Sequence, residues 1–109
     1  MSNPDISRLL ASVPTGLWIG GEERPGSSTF DVTNPADDTV LLTVANASAA
    51  DAIAALDAAS AVQESWAAAP ARERGEILRS VFEAIIARAE DFAMLMTLEM
   101  GKVVAESMG

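Results

Sequence analysis

Side chains able to do chemistry are few in this chain, and their spacing suits little of it. Gly16 to Gly21 and Gly21 to Gly26 both read G-x-x-x-x-G, the opening of a phosphate loop, but the first runs into Glu22-Glu23 and the second into Ser27-Ser28. Neither supplies the lysine that such a loop sends to the phosphates, so neither is read as one. No G-x-G-x-x-G occurs, and with it goes the simple dinucleotide fingerprint. The carboxylate pairs Asp37-Asp38 and Glu90-Asp91 carry the oxygens that a hard cation takes. Aspartate and glutamate are seldom buried, and both pairs are read as solvated surface.

The missing residue types say more. The 109 residues contain no Cys, His or Tyr, and Lys102 is the one lysine. That removes thiol nucleophiles, disulfides, thiolate or imidazole zinc sites, the Ser-His-Asp arrangement and an imidazole general base together. The chain alone is expected to catalyse nothing. Trp18 and Trp66 have no companion aromatic nearby to build a stacking site and are read as core. Of Met94, Met96, Met100 and Met108, only Met96 continues an apolar stripe, and the group is expected to face something outside this chain.

These residues must be positioned by elements that the pattern of apolar positions describes. Ile6, Leu9, Leu10 and Val13 give about two turns of amphipathic helix within a leader over residues 1–16, ending at Pro14. Residues 17–45 hold the strands. Leu17-Trp18-Ile19 precedes Gly20-Gly21, a dipeptide suited to a two-residue hairpin turn, and Glu22-Glu23-Arg24 returns. Thr29 to Thr33 alternates as a strand with Phe30 and Val32 on one face, so a hairpin is expected over about 17–33. Val40 to Val44 is apolar on both faces and predicts a third strand, over about 39–45, covered from two sides.

Residues 48–109 are the helical part. Ser48 followed by Asp51 reads as a capping box, and Ile53, Leu56, Ala59, Val62 and Trp66 then make one stripe on a helix over about 48–68. Pro70 suits the first turn of the next. Ile77, Leu78, Val81, Phe82, Ile85, Ile86, Ala89, Phe92, Ala93 and Met96 predict a helix over about 71–100, ended by Gly101. The short link at Ala69-Pro70 predicts that the two helices pack antiparallel through their stripes. The class is α+β, one incomplete domain.

Composition limits the partners. Sixteen acids against seven bases give a net charge of −9, which repels nucleic acid and anionic lipid. No apolar run approaches the roughly 20 residues of a membrane span, and no signal or transit peptide is recognisable, so the cytoplasm is the expected location. Twenty-one alanines favour helix but bury little, while twenty-six Leu, Ile, Val and Phe residues suffice for folding. A long apolar stripe in so short a chain predicts self-association, or persistence only within a larger assembly.

Five segments in order then carry a likeness. Leu17 to Glu22 (L-W-I-G-G-E), Phe30 to Pro35 (F-D-V-T-N-P), Glu64-Ser65-Trp66, Pro70 to Leu78 (P-A-R-E-R-G-E-I-L) and Met96 to Lys102 (M-T-L-E-M-G-K) resemble the amino-terminal part of the aldehyde dehydrogenase superfamily. Within it, Pro14 to Gly21 and the L-E-x-G-K variant are most similar to bacterial succinate-semialdehyde dehydrogenases. The resemblance implies an α/β parent fold. It also implies a cysteine that attacks the aldehyde, hydride transfer to NAD or NADP, and hydrolysis of the thioester with a glutamate as base. Those residues lie downstream in the family, so the chain is expected to be an inactive amino-terminal fragment that binds no cofactor, its partner being the remainder of the parent enzyme. The resemblance further maps a monovalent-cation site onto the Val32 carbonyl and Glu99, with Glu where many members have Asp. The alternative is a stand-alone acidic helical interaction module without catalysis.

Overall fold

The structure, a computed structural model, describes residues 3–109. The helices are α1 (Asn3–Ala11), α2 (Ala49–Ala68), α3 (Ala71–Ala87), α4 (Ala89–Met100) and α5 (Val104–Ser107). The strands are β1 (Leu17–Ile19), β2 (Glu22–Arg24), β3 (Ser28–Thr33) and β4 (Val40–Asn46). The α+β class holds. Of the leader expected over 1–16, residues 1 and 2 lie outside the described residues and most of the rest forms α1.

Each pair of consecutive strands closes on itself. β1 and β2 pair antiparallel with Trp18 opposite Glu23, across a turn in which Gly20 and Gly21 take φ of 63° and 79°. β3 and β4 pair antiparallel from Ser28 opposite Asn46 to Val32 opposite Leu42, with an irregularity before Thr33. The expected hairpin over 17–33 therefore ends at Arg24, and the strand at 39–45 belongs to a second hairpin with β3. That strand is not covered on both faces: Leu41, Leu42 and Val44 are half-buried and Val40 is exposed.

The helical region departs further from expectation. α2 begins as the capping box predicts: Ser48 Oγ accepts from the Asp51 backbone N–H at 3.2 Å and Asp51 Oδ2 accepts from the Ser48 N–H at 2.8 Å. The helix expected over 71–100 is interrupted at Arg88, whose φ of −118° and ψ of 24° close α3 before α4 starts. Glu90 and Asp91, read as surface, stand in the first turn of α4, where their charge meets the positive end of the helix dipole. Arg88 Nε also reaches Asp91 at 3.5 Å.

The stripes of α2 and α3 do not pack against each other. Neither helix has a buried residue, and Trp66 and Phe82 are 37% and 62% exposed. The cause is the corner. Ala69 is extended, the conformation that a following proline favours, and Pro70 follows at φ −54°, ψ 139°. Arg74 Nε then donates to the Ala69 carbonyl at 3.1 Å, which fixes how α3 leaves. Trp18 is also no core residue, being 61% exposed on its two-stranded hairpin.

Among the described residues, what is buried is small: Leu9, Ile19, Ala93 and Ser107. The radius of gyration is 17.1 Å, against about 13 Å for a compact chain of this length. The accessible surface is 7893 Å², against about 5,700 Å² for a folded monomer of this mass. Among the described residues no helix is long and apolar enough to cross a membrane.

The capping box gives a measurable expectation. Asp51 is held below its ordinary value of 3.8, first by the Ser48 backbone N–H and then by its hydroxyl. A carboxyl depressed in the folded state adds stability above its unfolded value, and that stability is lost as pH falls through the folded one. Ser48→Ala should cost about 1 kcal/mol at neutral pH in urea unfolding followed by circular dichroism. The deficit should shrink once the pH falls below 3.8.

Candidate functional site

The turn between β3 and β4 is built by side chains that could have been mistaken for ligands. Asn34 N–H donates to the Thr39 carbonyl at 2.8 Å, and the Asn34 carbonyl accepts from the Asp38 N–H at 2.8 Å. Asn34 Oδ1 accepts from the Ala36 N–H at 2.9 Å. Asp37 Oδ1 accepts from the Thr39 hydroxyl at 2.7 Å and from its N–H at 3.1 Å, and these bonds hold the Asp37 carboxyl below its ordinary range. Asp38 sits at φ 59°, a conformation that aspartate tolerates better than most residues. The acidic pair is thus committed to turning the chain.

α4 ends against that turn. Gly101 takes φ 75° and its N–H donates to the Thr97 carbonyl at 3.0 Å, so the helix stops as the sequence predicts. A Cβ placed on Gly101 would lie 3.2 Å from Pro35 Cγ. The F-D-V-T-N-P and L-E-M-G-K segments, far apart in sequence, therefore touch.

Just behind this contact Val32 and Glu99 line one cavity of about 90 Å³, together with Leu10, Val44, Leu95 and Leu98 among others. Both residues that the resemblance maps to a cation site are thus found on one cavity wall, which is otherwise apolar. Glu99 is the one ionisable group on the wall, and it is exposed. One carboxylate and a backbone carbonyl are oxygen donors of the right kind for a hard cation, but they are too few to complete its shell. Among the described residues no three His, Cys, Asp or Glu side chains gather to hold a metal.

The glycine spacing at Gly16 to Gly21 has a structural use. Gly16 N–H donates to Glu23 Oε1 at 2.9 Å, so the amide that a phosphate loop would turn to its ligand is taken by a carboxylate. Two further contacts are announced by no motif in the sequence. Asp31 Oδ1 accepts from the Thr43 hydroxyl at 2.6 Å across the second hairpin, and Arg74 pins the α2–α3 corner. The first was findable once β3 and β4 were paired, because Asp31 and Thr43 are opposite in register.

Residues 22–109 match the sequence model of the aldehyde dehydrogenase family. Over 70 residues, 64% of this chain, the sequence is 57% identical to a succinate-semialdehyde dehydrogenase of Paenarthrobacter nicotinovorans, of which the match covers 16%. Over 94 residues it is 39% identical to the succinate-semialdehyde dehydrogenase [NADP(+)] of Escherichia coli K12, covering 86% of this chain and 19% of that enzyme. The fold superposes on the crystal structure of Staphylococcus aureus betaine aldehyde dehydrogenase in complex with NAD+ with a TM-score of 0.91. Identity there is 31%, over 96% of this chain and 22% of that one. The chain spans about a fifth of the length of the relatives it matches.

The junction of helix end and turn is testable by one methyl group. Gly101→Ala must either leave the left-handed region or bear a penalty of about 1–2 kcal/mol there, and the new Cβ also crowds Pro35. A loss of that size in urea unfolding is expected.

Proposed function

The chain belongs to the aldehyde dehydrogenase family, and from that premise we propose that its 109 residues serve as the amino-terminal scaffold of an NAD(P)-dependent enzyme that oxidises succinate semialdehyde to succinate. The observation that carries the substrate reading is the 57% identity to a succinate-semialdehyde dehydrogenase. The chain has no cysteine, histidine or glycine-rich dinucleotide turn of its own. Its part is to present surfaces: the junction of α4 with the second hairpin, and the uncovered faces of α2 and α3. The remainder of an enzyme of this family is the partner that covers them, and the cytoplasm is where the enzyme works. In this reading residues 1–109 are one portion of a larger domain.

Val32 and Glu99 serve that scaffold as two donors to a monovalent cation, with the rest of its shell supplied by water and by groups beyond this segment. The family likeness carries this assignment; the two residues line one cavity whose other walls are apolar. A cation there would tie β3 to the end of α4, the two elements that the Pro35–Gly101 contact already brings together.

A chimera tests the reading. The matched segment of the Escherichia coli succinate-semialdehyde dehydrogenase is replaced by that of this chain, and reduction of the nicotinamide cofactor is followed with succinate semialdehyde. Activity within about tenfold of the parent is expected, a change in barrier of no more than about 1.4 kcal/mol. The purified 109-residue chain should give no cofactor reduction. A folded but inactive chimera, or turnover by the isolated chain, overturns the proposal.

A further inference from the structure

α3 and α4 are parted at Arg88, a residue that breaks no helix by its own nature. Sharp breaks usually trace to proline, glycine or serine, and Ala87-Arg88-Ala89 holds none of these. Alanine and arginine are among the best helix formers. The apolar stripe also keeps its phase across the break. Phe82, Ile85 and Ala89 run on into Phe92 and Met96 at spacings of three and four, as they would on one unbroken helix.

Two local terms favour the break, and both are weak. Glu90 and Asp91 gain from the N-terminal end of α4, which a continuous helix would abolish. Arg88 Nε reaches Asp91 Oδ2 at 3.5 Å, but the two side chains are 57% and 41% exposed. Arg88 makes no side-chain cap. Against these terms stand the backbone bonds that a continuous helix forms and a helix start forgoes in its first turn.

The seat of α4 tips this balance. Ala93 is 1% exposed, and Leu95 and Leu98 line the cavity shared with α1, β3 and β4. The Thr97 and Ser107 hydroxyls share a hydrogen bond of 3.1 Å that ties α4 to α5. α1 reaches the junction as well, since Arg8 and Leu9 line a cavity with Arg88 and Asp91. α4 is thus held by its neighbours, and its seated orientation, more than the sequence at Arg88, imposes the corner.

We propose that Arg88 is a hinge whose bend is held by the seat of α4, and that residues 71–100 straighten toward one continuous helix when α4 leaves that seat. Hinge residues absorb a change of φ and ψ at the end of an element. Arg88 has only to pass from φ −118°, ψ 24° to helical values. Glu99 stands on the seated helix, so the direction of α3 is coupled to the wall that Val32 and Glu99 share. This coupling does not depend on which aldehyde the family member oxidises.

Double electron–electron resonance on the full 109-residue chain tests it. The chain has no cysteine, so Arg72→Cys and Met100→Cys, both at exposed positions, supply the only two sites for nitroxide labels. One straight helix would set them about 42 Å apart, at 1.5 Å for each of about 28 residues. The bend brings them closer, and the labelled parent should show mainly the shorter distance. Ala93→Leu, which overfills the seat with a good helix former, should add a population near that straight-helix distance. In this background the ratio of straight to bent should be about fivefold higher for Arg88→Ala than for Arg88→Gly. Should Ala93→Leu melt α4, seen as lost helicity in circular dichroism, the same ratio between the two Arg88 variants of the labelled parent decides the matter. A helical Ala93→Leu chain that keeps only the shorter distance overturns the proposal, as does a distribution that Arg88→Ala and Arg88→Gly leave alike.

Discussion

What joins α1, the second hairpin and α4 in this chain is one small cavity to which all three contribute walls. Ala93, on α4, is the most buried of the described residues. Leu95 and Leu98 from the helix, Val32, Leu42 and Val44 from the strands, and Leu10 from α1 surround the same space. Pro35 and Gly101, two to three residues on from Val32 and Glu99, also lie side by side. Around this cavity a turn near residue 35 and a helix end near residue 100 become neighbours, and Val32 and Glu99 come to share a wall.

α2 and α3 stand outside that arrangement. They keep helical form through local devices: the capping box at Ser48, alanine-rich sequence, and an ion pair between Arg79 and Glu83 at 3.1 Å. Each device is weak. An exposed i, i+4 pair contributes about 0.3–0.5 kcal/mol, and helices of this length in water are marginal without tertiary support. Their apolar faces are therefore the unfinished side of the structure, and any account of function has to say what lies on them.

Local features of the fold were legible in the sequence because their causes are local. Ser48 with Asp51, Gly20-Gly21 between two short strands, and Gly101 after the last apolar position each specify a backbone geometry within a few residues, and each is found where expected. The break at Arg88 and the divergence of α2 from α3 were not legible. An uninterrupted apolar periodicity runs straight through residues 77–96, and periodicity reports which face is apolar without reporting what covers it. The same limit explains Trp18, placed in the core by residue type, and Trp66, placed there by residue type and by its position on the α2 stripe. For the candidate site, Val32 and Glu99 came from family likeness, and no spacing in the sequence could have joined positions so far apart. The contact that joins them is between a proline ring and a glycine, a pair without chemical signature.

The Asn34-Pro35 step also bears on the durability of the chain. Asparagine ages when the backbone nitrogen of the next residue attacks its side-chain carbonyl and closes a succinimide. Pro35 offers no N–H for that reaction, and Asn34 Oδ1 is already engaged by the Ala36 amide. The turn that seats the helix end is thereby protected from the commonest covalent decay of exposed asparagines, and the geometry at Val32 and Gly101 should outlast that of loops where asparagine precedes a smaller, unconstrained residue.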